Sequence, residues 1–366
     1  MNILKRWFGH KEEIAGLDIG SSTIKIAQVT KTPSGYACSR FASCPTPPMT
    51  IKDGSIVDAR VLGETIHQLM QDQGITATRL VSAVSGQSVV IRPISMTQMT
   101  EKELQHAIKF EAGRYLPYSV AEAQITGRIL PGDAGGEDKM MEVLLVAAPN
   151  EMVKNTREVV TLAQATAEAI DLEPFALLRA LARGVDPEAL RQTIALINLG
   201  ASSSSINIFN DGTLRHNRTI TVAGNNFTKA IGQSLNLSFE EAEKIKKEKG
   251  VIRVEKDATP VAPTTMRIFN VIIPVLTELV TEIQRSFDYY RNRFRGESVD
   301  LVILSGGTAK FKNIDIFISS ELSIDCQIAN PFRNISIQNV QGILPDDLEA
   351  LAPMAMVVTG LALRSE

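Results

Sequence analysis

The chain has 366 residues and a formal net charge of -3, which predicts two domains and gives no overall basic character of the kind a nucleic-acid-binding protein carries. It is 44% hydrophobic and 22% charged, as folded chains are, and no apolar run is long enough to span a bilayer. Cys38, Cys44 and Cys326 are unclustered, and His10, His67, His106 and His216 are scattered, so the spacing argues against zinc and for a reducing compartment, the cytoplasm. The first nine residues are too short and too broken for a secretory signal. Ile3, Leu4, Trp7 and Phe8, with Lys5 and Arg6, read as a fraying or self-docked terminus, because an interfacial membrane helix needs a larger apolar face.

Residues 14–43 contain three strand-like stretches, with a turn at Pro33, Ser34 and Gly35. Pro45, Pro47 and Pro48 then break regular structure. Asp58 to Gln71 predicts a helix with Leu62, Ile66, Leu69 and Met70 on one face and Gly74 as its stop. Leu80–Val84 reads as a buried strand, so the order hairpin, helix, strand opens an α/β sheet. Ser88–Ser95 is strand-like. Thr100, with Glu103 three residues on, forms a capping-box pattern that starts a helix carrying Leu104, Ile108 and Phe110 and ending near Gly113. Strand-like stretches at Ala123–Leu130 and Met141–Ala148 flank a polar connector at 131–138. A helix from Asn150 to Glu168, a strand near Ala169–Leu172 and a helix over Pro174–Arg183 follow. Residues 88–168 thus read as a small inserted α+β subdomain.

The second half opens on a strand at Ala195–Leu199 and continues through a hairpin that turns at Asn210, Asp211 and Gly212. Helices are predicted at Phe227–Leu235, Phe239–Lys249 and Met266–Arg293, the last kinked or started by Pro274, with a loop at 257–263 before it. Asp300–Leu304 is a buried strand, and Pro353–Arg364 a final apolar helix.

Two Gly/Ser/Thr-rich turns between apolar strands stand out. The first runs through Asp18, Gly20, Ser21, Ser22, Thr23 and Lys25, and the second through Asn198, Gly200, Ala201, Ser202 and Ser203. One such turn is an ordinary hairpin. Two, in separate halves of the chain, suggest a duplicated device closing on a polyphosphate from both sides. Glycine lets the backbone approach closely and take positive φ, successive N–H groups make an anion-binding concavity, and hydroxyls add donors that rotate to fit. Asp18 ends its strand where a phosphate-bound magnesium would sit, held through water, and Lys25 adds a point charge.

These stretches together resemble the actin-like ATPase superfamily, and within it the PilM family of the type IV pilus machine, in the branch shared with FtsA. Asp18, Gly20, Ser21, Ser22, Thr23 and Lys25 match its first phosphate element, and Gly200 to Ser205 its second. Val302 to Ala309, with Gly306, Gly307 and Thr308, match its adenosine element. Arg218 to Thr228, with Gly224 and Asn225, resemble the stretch that closes over the nucleotide. Glu241 to Lys246 resemble the helix whose Glu243 and Lys246 would contact ribose and adenine. The resemblance implies an α/β, two-lobed actin-like (ribonuclease H-like) fold with an inserted α+β subdomain 1C. It divides the chain into 1–87 (the N-terminal part of subdomain 1A), 88–168 (1C), 169–194 (return to 1A), 195–350 (2A and 2B) and 351–366, a C-terminal helix packing on the first lobe.

The same resemblance implies ATP and magnesium as cofactors, with Asp18 as a metal position through water and Asn198 as a weaker one. It implies a cytoplasmic adaptor in pilus assembly and twitching motility. Its partner would be the N-terminal cytoplasmic tail of PilN, in a groove between subdomains 1A and 1C. Recruitment to the cytoplasmic face of the inner membrane, near the motor ATPases, would follow, and self-association is left open. Phe110, Leu116 and Tyr118 are apolar candidates for the groove, with burial in the core the favoured reading of them.

Two departures matter. Asn198 stands where the superfamily has aspartate, which removes a charge from the metal site and predicts weak or absent turnover, with no catalytic residue assigned. Ala223 replaces the first of two glycines, which is tolerable if its φ stays negative. Other readings weigh less. A phosphotransferase would need a base facing a sugar cleft, and no motif supplies one. An FtsA-type filament protein is expected to carry a linker and a basic membrane helix after the last helix seen here. Arg285, Arg291, Arg293 and Arg295 with Tyr289 and Tyr290 read as a solvated face broken by Glu282 and Asp288, not a nucleic-acid patch. Lys244, Lys246, Lys247 and Lys249 with Glu243 and Glu248 read as helix-surface pairing.

Overall fold

The computed structural model describes residues 14–33, 35–52, 54–131, 140–184, 189–252, 262–337 and 345–365. The N-terminal residues 1–10, Ser34 of the first turn, most of the 131–138 connector and residues 257–261 of the expected loop lie outside the described residues.

The first strands are β1 (Ile14–Ile19), β2 (Thr23–Thr32) and β3 (Gly35–Pro45), an antiparallel meander. A short hairpin of β4 (Ile51–Lys52) and β5 (Ser55–Ile56) precedes helix α1 (Ala59–Asp72), and the sequence offers no periodicity long enough to announce it. Asp58 caps α1 by accepting the N–H of Val61 at 3.0 Å. β6 (Arg79–Val84) runs parallel to β1. β7 (Val90–Thr97), α2 (Glu101–Ala112), β8 (Ala123–Ile129) and β9 (Met140–Pro149) form a separate unit, a sheet of order β7-β9-β8 packed on α2. Its core is Ile94, Met96, Leu104, Ile108, Val143 and Leu145. The capping box of α2 is closed in both directions: Thr100 N–H donates to Glu103 at 2.8 Å, and Glu103 N–H to Thr100 Oγ1 at 3.3 Å.

Helix α3 covers Asn150–Leu162, shorter than the predicted 150–168. Gln164 takes φ 60°, and Thr166 N–H donates to the carbonyl of Thr78, which starts β10 (Thr166–Leu172) alongside β6. The alanines of that stretch favour a helix locally, and pairing in the central sheet overrides them. α3 buries Val159 and Val160 in one cluster with Leu62, Ile66 and Leu80, so by packing it belongs to the α1 layer rather than to the small sheet.

α4 (Glu173–Gly184) leads to β11 (Thr193–Leu199), β12 (Ser204–Asn210) and β13 (Thr213–Ile220), a second antiparallel meander. α5 (Gly224–Leu235) starts three residues before the predicted Phe227, and α6 (Phe239–Lys249) starts and stops as predicted. α7 (Pro263–Arg293) begins at one proline and continues through another, Pro274. β14 (Leu301–Ser305) runs parallel to β11, and β15 (Asp325–Ile328), after α8 (Ile314–Leu322), runs parallel to β14. β16 (Ile335–Ile337) joins the outer edge of β3. α9 (Pro345–Ala362) begins eight residues before the predicted start, with Pro353 inside it.

The two large sheets therefore share one plan: a three-stranded meander, with two further strands laid parallel beside its first strand. The orders are β10-β6-β1-β2-β3-β16 and β13-β12-β11-β14-β15. Between them lies a common apolar layer made by Ala176, Leu177 and Ala180 of α4, Met356, Val357 and Leu361 of α9, Val81 of β6, and Leu196 and Ile303 of the second sheet. Each such buried aliphatic side chain stabilises the fold by roughly 1.5–3 kcal/mol. α4 and α9 touch so closely that a Cβ on Gly360 would lie 1.8 Å from the carbonyl oxygen of Ala176. Gly360→Val is expected to force the helices apart and cost about 1–3 kcal/mol or more, read as a lower urea midpoint at an unchanged slope.

Candidate nucleotide cleft

A cleft of about 420 Å³ opens between the two large sheets, lined by both hydroxyl-rich turns. The turns are built alike. In the first, Asp18 pairs with Lys25 across the β1–β2 hairpin; in the second, Asn198 pairs with Ser205 across β11–β12. A Cβ on Gly20 would lie 2.7 Å from the carbonyl of Thr23, and one on Gly200 would lie 2.6 Å from that of Ser203. Glycine is required at both places for close approach, and neither takes the positive φ expected of it. Of the glycines singled out from sequence in this site, Gly306 takes that role, at φ 90°, where a Cβ would strike the carbonyl of Leu199 at 2.4 Å.

The tertiary fold brings the turns into contact: Ser202 Oγ donates to Ser21 Oγ at 2.8 Å. Lys25, nearly buried, donates to Asp18 Oδ2 at 2.8 Å beneath the first turn. Its ammonium lies 3.7 Å from where a Gly20 Cβ would be. The second turn is pinned from behind. Gly224 N–H donates to the carbonyl of Gly200 at 2.9 Å, Asn225 N–H to that of Ala201 at 2.7 Å, and Thr308 Oγ1 to that of Gly200 at 3.0 Å. Two N–H groups of the first turn of α5 are thus spent on the loop itself. Ala223 is extended, at φ -155° and ψ -175°, so a side chain there costs nothing.

At the far end, Lys246 donates to the carbonyl of Gly224 at 3.1 Å and to Thr228 Oγ1 at 2.8 Å, and pairs with Glu243 at 2.6 Å. Burial opposes ionisation of Glu243, yet hydrogen bonds from Lys246 and Thr228 and the charges of Lys246 and Lys247 hold its carboxyl below the usual range. Burial lowers the ammonium of Lys246 against the pull of Glu243. The surface-pairing reading of this helix holds for Lys247 with Glu243, while Lys246 turns inward.

Of the residues singled out from sequence, Asp18, Gly20, Ser21, Ser22, Thr23, Lys25, Asn198, Gly200, Ala201, Ser202, Ser203, Gly224, Glu243, Lys246, Gly306, Gly307 and Thr308 line this one cleft. Asn225 does not line it and acts through its backbone. Sequence reasoning missed Glu173, the first residue of α4, which lines the floor. Burial, and then the charge of Asp18, push its carboxyl up, against hydrogen bonds from Ser205, Asn198 and Ser85. Its signal was an acid at a strand-to-helix junction, one residue before the predicted helix start at Pro174. Phe311 was missed as well. It packs on Phe227 with ring centroids 5.3 Å apart and walls the Gly250 side of the cleft. Only the fold brings it there.

Three expected core or surface assignments also resolve. Phe110 is 86% exposed on α2, not buried. Tyr118 is half-buried, its hydroxyl donating to the carbonyl of Ser88 at 2.8 Å. Tyr290 is core, whereas Arg285 and Arg291 pair with Glu282 and Asp288 on the solvated face of α7.

Residues 16–366 match the type IV pilus assembly protein PilM family. Among solved structures, the chain is similar to that of a PilM-PilN type IV pilus biogenesis complex, with 28% identity, a TM-score of 0.84, and coverage of 96% of this chain and 98% of that one. It shares its fold with the ethanolamine utilization protein EutJ of Carboxydothermus hydrogenoformans (16% identity, TM-score 0.57, 95% and 88% covered). The same holds for MreB5 of Spiroplasma citri bound to AMPPNP (14%, 0.56, 97% and 96%). The cell division protein FtsA of Bacillus subtilis is 23% identical over 88% of this chain and 79% of its own length; that of Escherichia coli K12 is 21% identical over 82% and 80%. The fold is actin-like, and the chain belongs to the PilM family of type IV pilus assembly proteins.

Proposed function

We propose that the cleft binds ATP with magnesium and that the chain serves type IV pilus assembly as an adaptor for the N-terminal cytoplasmic tail of PilN. The observation that carries the nucleotide reading is the contact of the two turns at Ser21 and Ser202, beside the part-buried Lys25–Asp18 pair. Converging backbone N–H groups, rotating hydroxyls and one ammonium suit a chain of phosphates. Glu243 and Lys246, at the other end, would take the ribose and adenine.

The donor set also fits magnesium. Asp18 would hold the ion through water beside phosphate oxygens, with Asn198 a neutral second contact. When bound, the metal would neutralise phosphate charge. Asn198 suits its neighbour: its side chain hydrogen-bonds the half-buried Glu173, where an aspartate would set two carboxylates together. Glu173 would orient a water toward the phosphates, and with one carboxylate fewer than the actin-like pattern implies the site would turn over slowly.

No helix among the described residues is long and apolar enough to cross a membrane, so recruitment to the membrane would run through PilN. The tail would lie between the first lobe and the small sheet, where backbone pairing and a few apolar pockets could grip an extended peptide. A cell-division role, suggested by the FtsA relatives, is the second reading. The PilM family match over residues 16–366 favours the pilus.

Titration calorimetry with Mg-ATP is expected to show binding, and Gly200→Val, whose side chain cannot fit beside the Ser203 carbonyl, is expected to weaken it at least about tenfold, or 1.4 kcal/mol. An intact wild type without affinity at millimolar ATP overturns the reading. In a phosphate-release assay the wild type should be slow; fast turnover that Asn198→Asp leaves unchanged contradicts the role given to Asn198. A PilN tail peptide is expected to protect amides of β7, α2 and β9 from hydrogen exchange. Binding without protection there rejects the groove.

A further inference from the structure

A second cavity, of about 460 Å³, is lined by neither turn, shares Gly86 with the first, and lies between the small sheet and the second large one. β7 and Tyr115 wall one side; β13 and the C-terminal end of α7 wall the other. Arg92, Arg215, Arg218 and Arg293 line it, and among the described residues no aspartate or glutamate does. Just behind the wall, Glu142 pairs with Arg215 at 2.6 Å, and Glu282 pairs with Arg218. Arg92 and Arg293 have no carboxylate partner among the described residues. Arg92 lies over the Tyr115 ring, 4.7 Å from its centroid, and Arg293 sits 5.9 Å from that of Phe294. Four guanidinium charges thus face two carboxylates, and the cavity is electropositive.

His216 gives independent evidence. Its ring packs on the half-exposed Tyr289, with centroids 4.9 Å apart, and its buried Nε2 has no hydrogen-bond partner. Burial, and then the charges of Arg218 and Arg92, push its pKa down to about 4, so the imidazole is neutral at pH 7 and sits in the field of those arginines. An orphaned buried nitrogen is rare and asks for a partner. Guanidinium forks match phosphate oxygens, aromatic faces accept a flat ring, and the volume lies in the range of small-molecule sites.

We propose that this cavity is a second ligand site, taking a small phosphate-bearing molecule on Arg92, Arg293 and His216. Its walls come from the small sheet and the second large one, which already meet through Ile91, Leu144 and Leu214 and the Arg215–Glu142 pair, so the ligand would add to that junction. It would favour that arrangement by its differential affinity for it.

Inorganic pyrophosphate is the probe, titrated into the full chain while the imidazole signals are followed by NMR, with His216 assigned through His216→Gln. Saturable shifts of the His216 signals and a rise of its pKa above 4 are expected. Arg92 and Arg293 are exposed side chains, so the double variant Arg92→Ala, Arg293→Ala should fold, which an unchanged melting temperature checks. It should weaken the His216 response at least tenfold. Lys25→Ala, in the other cleft, should leave the response intact. Immobile His216 signals at millimolar pyrophosphate overturn the proposal. So does an unchanged response in the double variant, or loss of the response in Lys25→Ala, which would place the anion between the two turns.

Discussion

Both large sheets rest on the packing of α4 against α9, and the placing of the cleft follows from it. The helices approach until Gly360 meets the carbonyl of Ala176, a distance that admits no side chain. A buried carboxylate, Asp171, draws Arg179 of α4 and Arg364, just beyond α9, to one point, with Arg364 at 2.7 Å. Arg179 also donates to the carbonyl of Gly360. Such a buried cluster is costly to break, because removing one partner strands the other charge. The glycine contact and the ion cluster hold the layer rigid in different ways, one by shape and one by charge. Since α4 starts at Glu173 on the cleft floor and the carbonyl of Pro353 in α9 accepts the N–H of Gly306, the same layer sets both a wall and the floor of the site.

The duplication of the sheet plan explains the duplication of the turns. Each first hairpin, β1–β2 and β11–β12, ends at the same edge of an equivalent sheet, so facing the sheets toward each other brings Ser21 to Ser202. The halves are not equivalent in charge. The first turn carries Asp18 with Lys25 beneath it, and the second carries the neutral Asn198 beside the half-buried Glu173 carboxyl. In the proposed nucleotide reading, that asymmetry would separate binding from turnover: backbone suited to phosphates lies on both sides, and a strand-end carboxylate on one.

Local chemistry wrote much of this into the chain. The capping box at Thr100, the amphipathic face of α1 and the Gly/Ser turns each depend on residues within four or five positions of one another, and they are readable for that reason. The errors fall where distant partners decide. The end of α3 is set by pairing of Thr166 to a strand some ninety positions earlier. α9 runs through Pro353, whose local signal reads as a start. Phe110 reads as core because such residues are usually buried, yet it stands on a side of α2 that nothing among the described residues covers.

By itself, then, the order of residues determined the two turns, the strands that hold them, and the glycines without which the backbone could not bend so tightly, because those are short-range steric facts. That Glu173 and Phe311 join them, that Asn198 faces a carboxyl, and that four arginines gather around His216 were decided only by the tertiary structure. Those groups are far apart along the chain, and a side chain's field and solvation depend on what is packed beside it rather than on what precedes it.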